Sequence, residues 1–333
     1  MGKIMERESL FSKISRFNRD ITSNLPEDIS FFKKIRVFFD FVVEWKFHGV
    51  YLLDYIQYGF YWKTKPERRK YFVHGRLIEM MQRANNPEHR YIFDQKPEFD
   101  KKFADFLQRD WIDTKDANLS DFIKFLDGKD TFFAKDPCGM FGLGVKKVSV
   151  SEIEDVEKCF EEYRKQNILC EESLNQCKEM SDFNDTSINS IRVVSFVRAN
   201  GEVEIIGALL RIGRKGKIAD NFHHMGIASY VDPKTGIVCT KGLDKNNDWH
   251  IFHPDSNTQI VGFQVPIWNE VVDTIKRAAK VVPDMRYIGW DVVITKDYKV
   301  ELVEGNPGAD PDAEQITTKE GRWPYYKQYL DEL

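Results

Sequence analysis

The sequence predicts an α+β fold that follows a helical N-terminal region. Aromatic and apolar residues recur at helical spacing over residues 31–61. Residues 131–150 and 190–212 each show two strand-like runs joined by a glycine-containing turn, and residues 288–303 repeat the pattern around a polar turn. Helices at one end of the chain and hairpins over the rest are typical of an α+β architecture.

Composition limits the class of protein. The chain has 333 residues, of which 42% are hydrophobic and 31% are charged, so we expect a globular protein of two or three domains. A net charge of -4 argues against nucleic-acid binding, which favours a basic face. The five cysteines form no CxxC pair, which favours reduced thiols over a disulfide framework or a zinc site. Without a secretory segment or an apolar run of membrane-spanning length, we expect a cytoplasmic protein.

The aromatic N-terminal region allows two interpretations. Its apolar stripe over residues 31–61 could pack onto the rest of the protein. Alternatively, the basic residues between the aromatic ones could hold this face on an anionic membrane surface. These basic residues include Lys33, Lys34, Arg36 and Lys46. The sequence leaves both interpretations open.

A glycine-rich turn follows a strand that ends on a lysine. The strand is Thr131–Lys135, the glycines are Gly139, Gly142 and Gly144, and a returning strand is predicted at 145–150. Glycines let backbone N–H groups approach phosphate closely, and the lysine adds a positive charge. No GKS or GKT sequence follows, so this is not a Walker loop. An ordinary flexible hairpin is the alternative.

The next segment predicts a helix followed by an acidic strand end. Ser151 and Glu154 have the spacing of a capping box. A short strand at 167–170 then leads directly into Glu171 and Glu172. A strand, a capped helix and a strand after the glycine turn indicate a small α+β layer with these glutamates at its edge.

Two arginines share one face of the following hairpin. The Asn-Gly pair at 200–201 favours a two-residue turn. That register places Arg192 opposite Leu209, with Arg211 on the same face. The arginines could form a solvated basic face, or a phosphate or carboxylate could lie between them. The histidines at positions 223–224 lie in a polar loop, and we assign them no role.

The last hairpin predicts a pair of facing carboxylates. A turn centred on 297–298 places Glu304 opposite Asp291, and Asn306 points the same way as Glu304. Such a pair could be two solvated carboxylates on an exposed sheet face. The apolar flanks and the glycines that follow instead favour a site for a hard cation such as Mg²⁺, which binds one or two carboxylates together with substrate phosphates.

In this order, the features resemble the ATP-grasp superfamily over residues 91–318. The most specific element is Glu304-Gly305-Asn306, because ATP-grasp enzymes typically end their nucleotide site in Glu-x-Asn. The residues at 187–193, 210–213 and 288–291 look most like the sugar-transfer-associated branch, which is found with capsule and exopolysaccharide assembly.

The resemblance implies a domain organisation in which two α+β subdomains grip ATP. The expected parts are a helical N-terminal region at 1–90 and an ATP-grasp domain at 91–333, with a nucleotide flap subdomain at about 130–175 and a metal and catalytic subdomain at about 186–318. The chain departs from the family pattern at 140–141, where Met and Phe stand in the glycine turn, and it shows no strand-rich leading domain.

The resemblance also implies the cofactors ATP and Mg²⁺ and a role for each candidate residue. The implied groups are Lys96, Lys135, Gly139, Gly142 and Gly144 for the nucleotide, Glu171 and Glu172 for adenine and ribose, Arg192 and Arg211 for the transferring phosphoryl group or the acceptor carboxylate, and Asp291, Glu304 and Asn306 for Mg²⁺.

These roles predict an ATP-dependent carboxylate–amine ligase that forms an amide through an acyl phosphate. The resemblance implies an amino acid or other amine and a uronic-acid or related carboxylate as substrates, in surface polysaccharide synthesis. Two alternatives remain, namely a kinase-like phosphoryl transferase acting on a hydroxyl and an ATP-binding, non-catalytic assembly partner. Contact with a membrane surface or with a polysaccharide assembly is a further expectation.

Overall fold

The computed structural model describes residues 30–139, 144–216 and 226–333. The predicted flap residue Gly142 and the histidines at positions 223–224 lie outside these ranges. The α-helices of the described part are α1 (Phe31–His48), α2 (Leu52–Gln57), α3 (Lys65–Arg68), α4 (His74–Ala84), α5 (Tyr91–Asp94), α6 (Lys96–Lys102), α7 (Leu119–Leu126), α8 (Val156–Gln166), α9 (Lys178–Ser181), α10 (Trp268–Ala279), α11 (Asp312–Thr318) and α12 (Trp323–Leu330).

Two antiparallel sheets follow the N-terminal helices. The strands are β1 (Trp111–Asp113), β2 (Thr131–Lys135), β3 (Val145–Ser149), β4 (Leu169–Glu172), β5 (Ser190–Val197), β6 (Val203–Ile212), β7 (Ile227–Tyr230), β8 (Gly242–Leu243), β9 (Trp249–His250), β10 (Tyr287–Ile294) and β11 (Val300–Asn306). The small sheet has the order β1-β4-β2-β3, and the large sheet has the order β11-β10-β5-β6-β7-β8-β9.

One face of the small sheet packs against helices α7 and α8. Phe132 and Ala134 of β2 point into a core that Phe122 of α7 and Phe160 of α8 share. The alternation along β2 turns Lys135 to the other face, which is free of this core. The hairpin β2–β3 therefore presents its terminal lysine away from its own helices.

The large sheet places the charged residues of the site on the face opposite its main hydrophobic core. Ile191, Val193 and Trp290 belong to the main hydrophobic core, on which α10 packs. Arg192 and Asp291 are their immediate neighbours in sequence and are paired across β5 and β10. Because side chains alternate along a strand, these charged residues lie on the opposite face, as the sequence predicts.

The hairpin β5–β6 closes differently from the prediction. Val197 pairs with Val203, so the loop is longer by one residue and the predicted two-residue turn is wrong. An extra residue at Ile206 then shifts the register of β6 by one position. This bulge compensates for the longer loop, and Arg192 pairs with Leu209 as predicted.

The predicted capping box at Ser151 and Glu154 is wrong. Ser151 lies in a 3-10 turn, and helix α8 begins after Asp155, whose side chain accepts a hydrogen bond from the Lys158 backbone N–H at 2.9 Å. Asn167 ends this helix in the left-handed conformation (φ 54°) instead of starting the next strand. Both corrections shift boundaries and preserve the predicted order of elements.

The described N-terminal residues are helical, as predicted, and they pack against the C-terminal helices. Phe72 and Met80 share a buried cluster with Phe196 of β5 and Tyr326 of α12. The Gln315 side chain accepts from the Phe72 backbone N–H at 2.7 Å and donates to the Phe72 carbonyl at 3.0 Å. The division near residue 90 stays a prediction. Among the described residues, no helix is both long and apolar enough to cross a membrane.

Candidate functional site

The last hairpin brings Asp291 and Glu304 face to face. The Thr295 backbone N–H donates to the Lys299 carbonyl at 2.9 Å, so the loop is longer by one residue than a turn centred on 297–298. An extra residue at Val303 restores the predicted register, and Asp291 pairs directly with Glu304. The predicted carboxylate pair is therefore present, although the sequence does not predict the bulge that produces it.

Asp291 is held by both predicted arginines. Arg192 donates through Nε to Oδ1 at 2.5 Å and through Nη2 to Oδ2 at 3.0 Å. Arg211 Nη1 lies 3.2 Å from each oxygen of the same carboxylate. Burial by itself raises the pKa of Asp291, but the two guanidinium groups outweigh it and lower the pKa below its usual range. Asp291 is thus a carboxylate that stays ionised.

Glu304 has the opposite environment. Within the described part of the chain its side chain has no hydrogen-bond or ion-pair partner, and it stays accessible to solvent at the open edge of the site. The surrounding protein nevertheless raises the pKa of Glu304 through desolvation, and the charge of Asp291 adds to this rise. Arg192 and Lys96 oppose the rise only in part. Glu304 is therefore the carboxylate whose charge a bound cation would stabilise most.

Asn306 lies two residues beyond Glu304, at the end of β11. Its Oδ1 accepts a hydrogen bond from the Gly308 backbone N–H at 2.8 Å. This contact fixes the side chain at the turn and leaves the second lone pair of the oxygen for another partner. The structure thus brings all three predicted metal residues to the paired strands β10 and β11, where the two arginines bind Asp291.

Two lysines lie next to the glycine turn, Lys135 at the end of β2 and Lys96 at the start of α6. Lys135 Nζ donates to Glu171 Oε2 at 2.5 Å. Lys96 donates through its backbone N–H to the Pro137 carbonyl at 3.0 Å, and its Nζ contacts the Gly139 carbonyl. Burial lowers the pKa of Lys96, and the charge of Glu304 opposes this change. Lys96 therefore contacts the glycine turn and is also affected by the charge of Glu304.

The glycine turn closes at Asp136 and Gly144. The Asp136 backbone N–H donates to the Gly144 carbonyl at 2.9 Å, and Gly144 has a φ of 77°. A Cβ on Gly144 would lie 2.8 Å from the Asp136 Cβ, so only glycine fits. The Gly139 N–H donates to the Asp136 carbonyl at 3.2 Å. Gly139 and Gly144 therefore shape the base of the turn.

Glu171 and Glu172, which are predicted to contact adenine and ribose, differ in accessibility. Glu171 is buried, and its carboxylate is shared by Lys135 and Arg109, which together overcome the effect of burial and lower the pKa of Glu171. Glu172 is the last residue of β4 and is partly exposed, and its side chain accepts a hydrogen bond from the Asp110 backbone N–H at 3.0 Å. A contact of either side chain with adenine or ribose stays a prediction.

Arg109, which the sequence does not predict as a site residue, joins the two sheets. Arg109 Nε donates to Glu171 Oε2 at 2.8 Å, and its Nη1 donates to the Leu302 carbonyl at 2.7 Å and contacts Glu301 Oε1. Its Nη2 donates to Asp100 Oδ1 at 2.8 Å. All four side chains are buried. The acidic Glu301 within an otherwise apolar run is the sequence feature that points to this ion-pair network, because the residues next to Arg109 show no distinctive pattern.

A comparison with protein families decides the identity of the fold. The family described as "Sugar-transfer associated ATP-grasp" matches residues 148–328, which is more than half of the chain. The chain belongs to this ATP-grasp family. The match confirms the resemblance seen in the sequence, and with it the α+β ATP-grasp fold and its preceding helices. A search of curated proteins found no match.

Solved ATP-grasp structures resemble this chain distantly. A structure of ATP-grasp ligase PsnB complexed with minimal precursor is 15% identical, with 75% of this chain and 64% of that chain covered and a TM-score of 0.47. The D-alanyl-alanine synthetase A from Vibrio cholerae O1 biovar eltor str. N16961 is 10% identical, with 74% and 67% covered and a TM-score of 0.45. The chain thus spans less than two thirds of the PsnB chain.

The residues of this candidate site fit a hard divalent cation. Asp291, Glu304 and Asn306 can offer oxygen ligands, and desolvation together with the charge of Asp291 raises the pKa of Glu304. No group of three or more His, Cys, Asp and Glu side chains in the described ranges could hold a metal ion. Two carboxylates and an amide would therefore need further ligands from nucleotide phosphates, which is how Mg²⁺ is commonly bound.

Proposed function

We propose that this chain is an ATP-dependent carboxylate–amine ligase. The observation that carries the proposal is the position of Lys96, which contacts the glycine turn through Gly139 and is also subject to the charge of Glu304. A nucleotide with its phosphates at the turn would therefore extend towards the carboxylate pair. Arg192 and Arg211, which form ion pairs with Asp291, would then be available to the terminal phosphate.

In this proposal, the basic residues act by neutralising charge. Lys96 and Lys135 would hold the phosphates next to the turn, while Arg192 and Arg211 would face the transferring phosphoryl group or the acceptor carboxylate. Asp291, Glu304 and Asn306 would hold Mg²⁺, which supplies charge neutralisation of the phosphates when bound. Glu171 would position Lys135, since it accepts a hydrogen bond from the lysine.

The proposed reaction has two steps. A substrate carboxylate oxygen attacks the γ-phosphorus of ATP, the bond to the β-phosphate oxygen breaks, and ADP and an acyl phosphate form. An amine nitrogen then attacks the acyl carbon, inorganic phosphate leaves with the former carboxylate oxygen, and the amine loses one proton. The products are an amide, ADP and phosphate.

The substrate class rests on the family description. Because the matched family is associated with sugar transfer, we propose a uronic acid or related saccharide carboxylate as acceptor and an amino acid or other amine as donor. The proposed process is surface polysaccharide synthesis, carried out in the cytoplasm.

The test is product release from MgATP with a panel of carboxylates, each with and without mixed amino acids. The ligase predicts that ADP and phosphate appear together and only when both a carboxylate and an amine are present. ADP without free phosphate, in the presence of a hydroxyl acceptor, would instead establish a kinase. Nucleotide binding without turnover under any combination would favour a non-catalytic assembly partner.

A further inference from the structure

Helix α1 exposes an apolar stripe along its whole length. Phe32, Phe39 and Phe47 expose 82%, 62% and 67% of their surface, which is unusual for phenylalanine. Ile35 and Val43 lie between them and are also exposed. The spacing of three or four residues places all five on one side of the helix. We call these five residues the α1 stripe.

The opposite side of α1 is anchored to the protein. Val37 is buried in a cluster with Tyr55 and Phe60. Glu44 is 1% exposed and accepts from Arg69 Nη1 at 2.7 Å and from Nη2 at 2.8 Å. Rotating the helix to bury the α1 stripe would break this buried ion pair. The stripe is therefore held outward by the fold.

Three more large side chains on or near α1 are exposed, namely Trp62, Leu53 and Trp45. Trp62 is 56% exposed, and the ammonium of Lys33 lies 4.8 Å from the centre of its ring. Leu53, in the next helix, is 62% exposed. Trp45, on the flank of α1, is 54% exposed. Tryptophan and phenylalanine at a surface edged by basic residues are typical of helices that lie in a membrane interface.

The charge on this part of the surface is positive. Lys33, Arg36 and Lys46 of α1 are exposed. The acidic residues of α1 are Asp40 and Glu44, and both are neutralised by ion pairs with Arg68 or Arg69. A second copy of the chain would bring like charges together across the stripe, whereas anionic lipid headgroups would complement them.

We propose that the α1 stripe docks this protein on an anionic phospholipid surface. The helix lies parallel to the surface, with Phe32, Phe39 and Phe47 among the headgroups and acyl chain ends. Lys33, Arg36 and Lys46 contact the lipid phosphates. This role is independent of the proposed ligase chemistry, since none of these residues belongs to the candidate site.

The test is co-sedimentation of the full chain with vesicles of phosphatidylcholine alone and of phosphatidylcholine with phosphatidylglycerol. We expect binding to the anionic vesicles, weakened when salt is raised from about 0.05 M to about 0.5 M. The triple variant F32S/F39S/F47S should bind at least tenfold more weakly at every salt concentration. The variant K33Q/R36Q/K46Q should lose the preference for anionic vesicles.

A matched control separates the stripe from general surface hydrophobicity. Ile123 and Phe252 expose 53% and 47% of their surface at sites away from α1, so the variant I123S/F252S should bind vesicles like the unchanged chain. Equal binding by F32S/F39S/F47S would overturn the proposal. Failure of the full chain to bind anionic vesicles would also overturn it. In that case a dimer lost in F32S/F39S/F47S would identify a second copy as the occupant.

Discussion

Glu304 faces Asp291 across β10 and β11. Of these two carboxylates, Asp291 forms ion pairs with two guanidinium groups, whereas Glu304 forms none with the described residues. Two adjacent carboxylates with such different surroundings are expected to differ in their affinity for a proton and for a cation. Asp291 is already compensated by Arg192 and Arg211. A bound cation would compensate the negative charge of Glu304. The first substitution to test is therefore at Glu304.

Replacing Glu304 with glutamine should abolish turnover without unfolding the protein. The substitution removes a carboxylate whose ionised form the protein disfavours, so the thermal midpoint should not fall. Losing a charge needed to hold the cation should lower kcat at least about a hundredfold. ADP release and thermal unfolding are the measurements. Glu161→Gln, at an exposed helical position, is the control, and unchanged ADP release in Glu304→Gln would remove Glu304 from the metal site.

Arg192 and Arg211 should contribute unequally to stability. Arg192 is buried and makes two hydrogen bonds to Asp291, whereas Arg211 reaches the same carboxylate with one nitrogen. Arg192→Gln should therefore cost about 3 kcal/mol of unfolding free energy and Arg211→Gln about 1 kcal/mol. Urea unfolding measures both values. Adding Asp291→Asn to Arg192→Gln should recover part of the loss, and equal losses for the two arginines would contradict the assignment.

Arg109→Met should destabilise the chain strongly. Arg109 compensates the buried carboxyl groups of Asp100, Glu171 and Glu301, and its removal would leave them with Lys135 as the remaining cation of the network. We expect a loss of at least about 3 kcal/mol in urea unfolding, because breaking a buried ion pair is costly. Arg164→Gln, which removes an exposed pair, should change stability by less than about 1 kcal/mol.

Asp100 should make stability depend on pH near neutrality. Burial raises the pKa of Asp100 from 3.8 to about 7, despite the opposing charge of Arg109. The folded chain then binds one more proton than the unfolded chain between those two pH values. The contribution of Asp100 is therefore most favourable below about pH 4 and is lost as pH rises towards 7.

The difference between the wild type and Asp100→Asn isolates this effect. Asparagine keeps an oxygen for Arg109 Nη2 and has no carboxyl proton to lose. The unfolding free energy of the wild type relative to the variant should fall by on the order of 2 kcal/mol between pH 5 and pH 8. A difference that does not change with pH would show that Asp100 is ionised throughout.

Lys135→Met should weaken nucleotide binding. The proposed contact with phosphate is a charge-assisted hydrogen bond worth about 1.5–3 kcal/mol, so Kd for MgATP should rise tenfold to a hundredfold. Calorimetry of the purified variants measures this change. Lys146, on the opposite face of the same hairpin, provides the control, and Lys146→Met should bind MgATP like the wild type. Equal affinities for the two variants would place the phosphates elsewhere.

Local sequence determined the strand pairs that build the site. Alternation of apolar and polar residues assigned Arg192 and Arg211 to one face of their hairpin, and Asp291 and Glu304 to one face of theirs, because side chains alternate in any strand. The pairs Arg192–Leu209 and Asp291–Glu304 are also as predicted. Both hairpin loops, however, are longer by one residue than expected, and each pair is restored by a bulge. A compensating bulge depends on packing over the whole sheet and has no simple local signature.

Tertiary structure alone decided which charges meet. Arg109 and Glu301 are far apart in sequence, and their contact requires the small and large sheets to be in place. Tertiary structure also decides that Asp291 has two arginine partners and Glu304 has none among the described residues, because this depends on where β5 and β6 place Arg192 and Arg211. Periodicity determines the face on which a side chain lies, since it follows from backbone geometry. Ion pairs between sheets arise from packing between distant segments, and they set the charge state of this site.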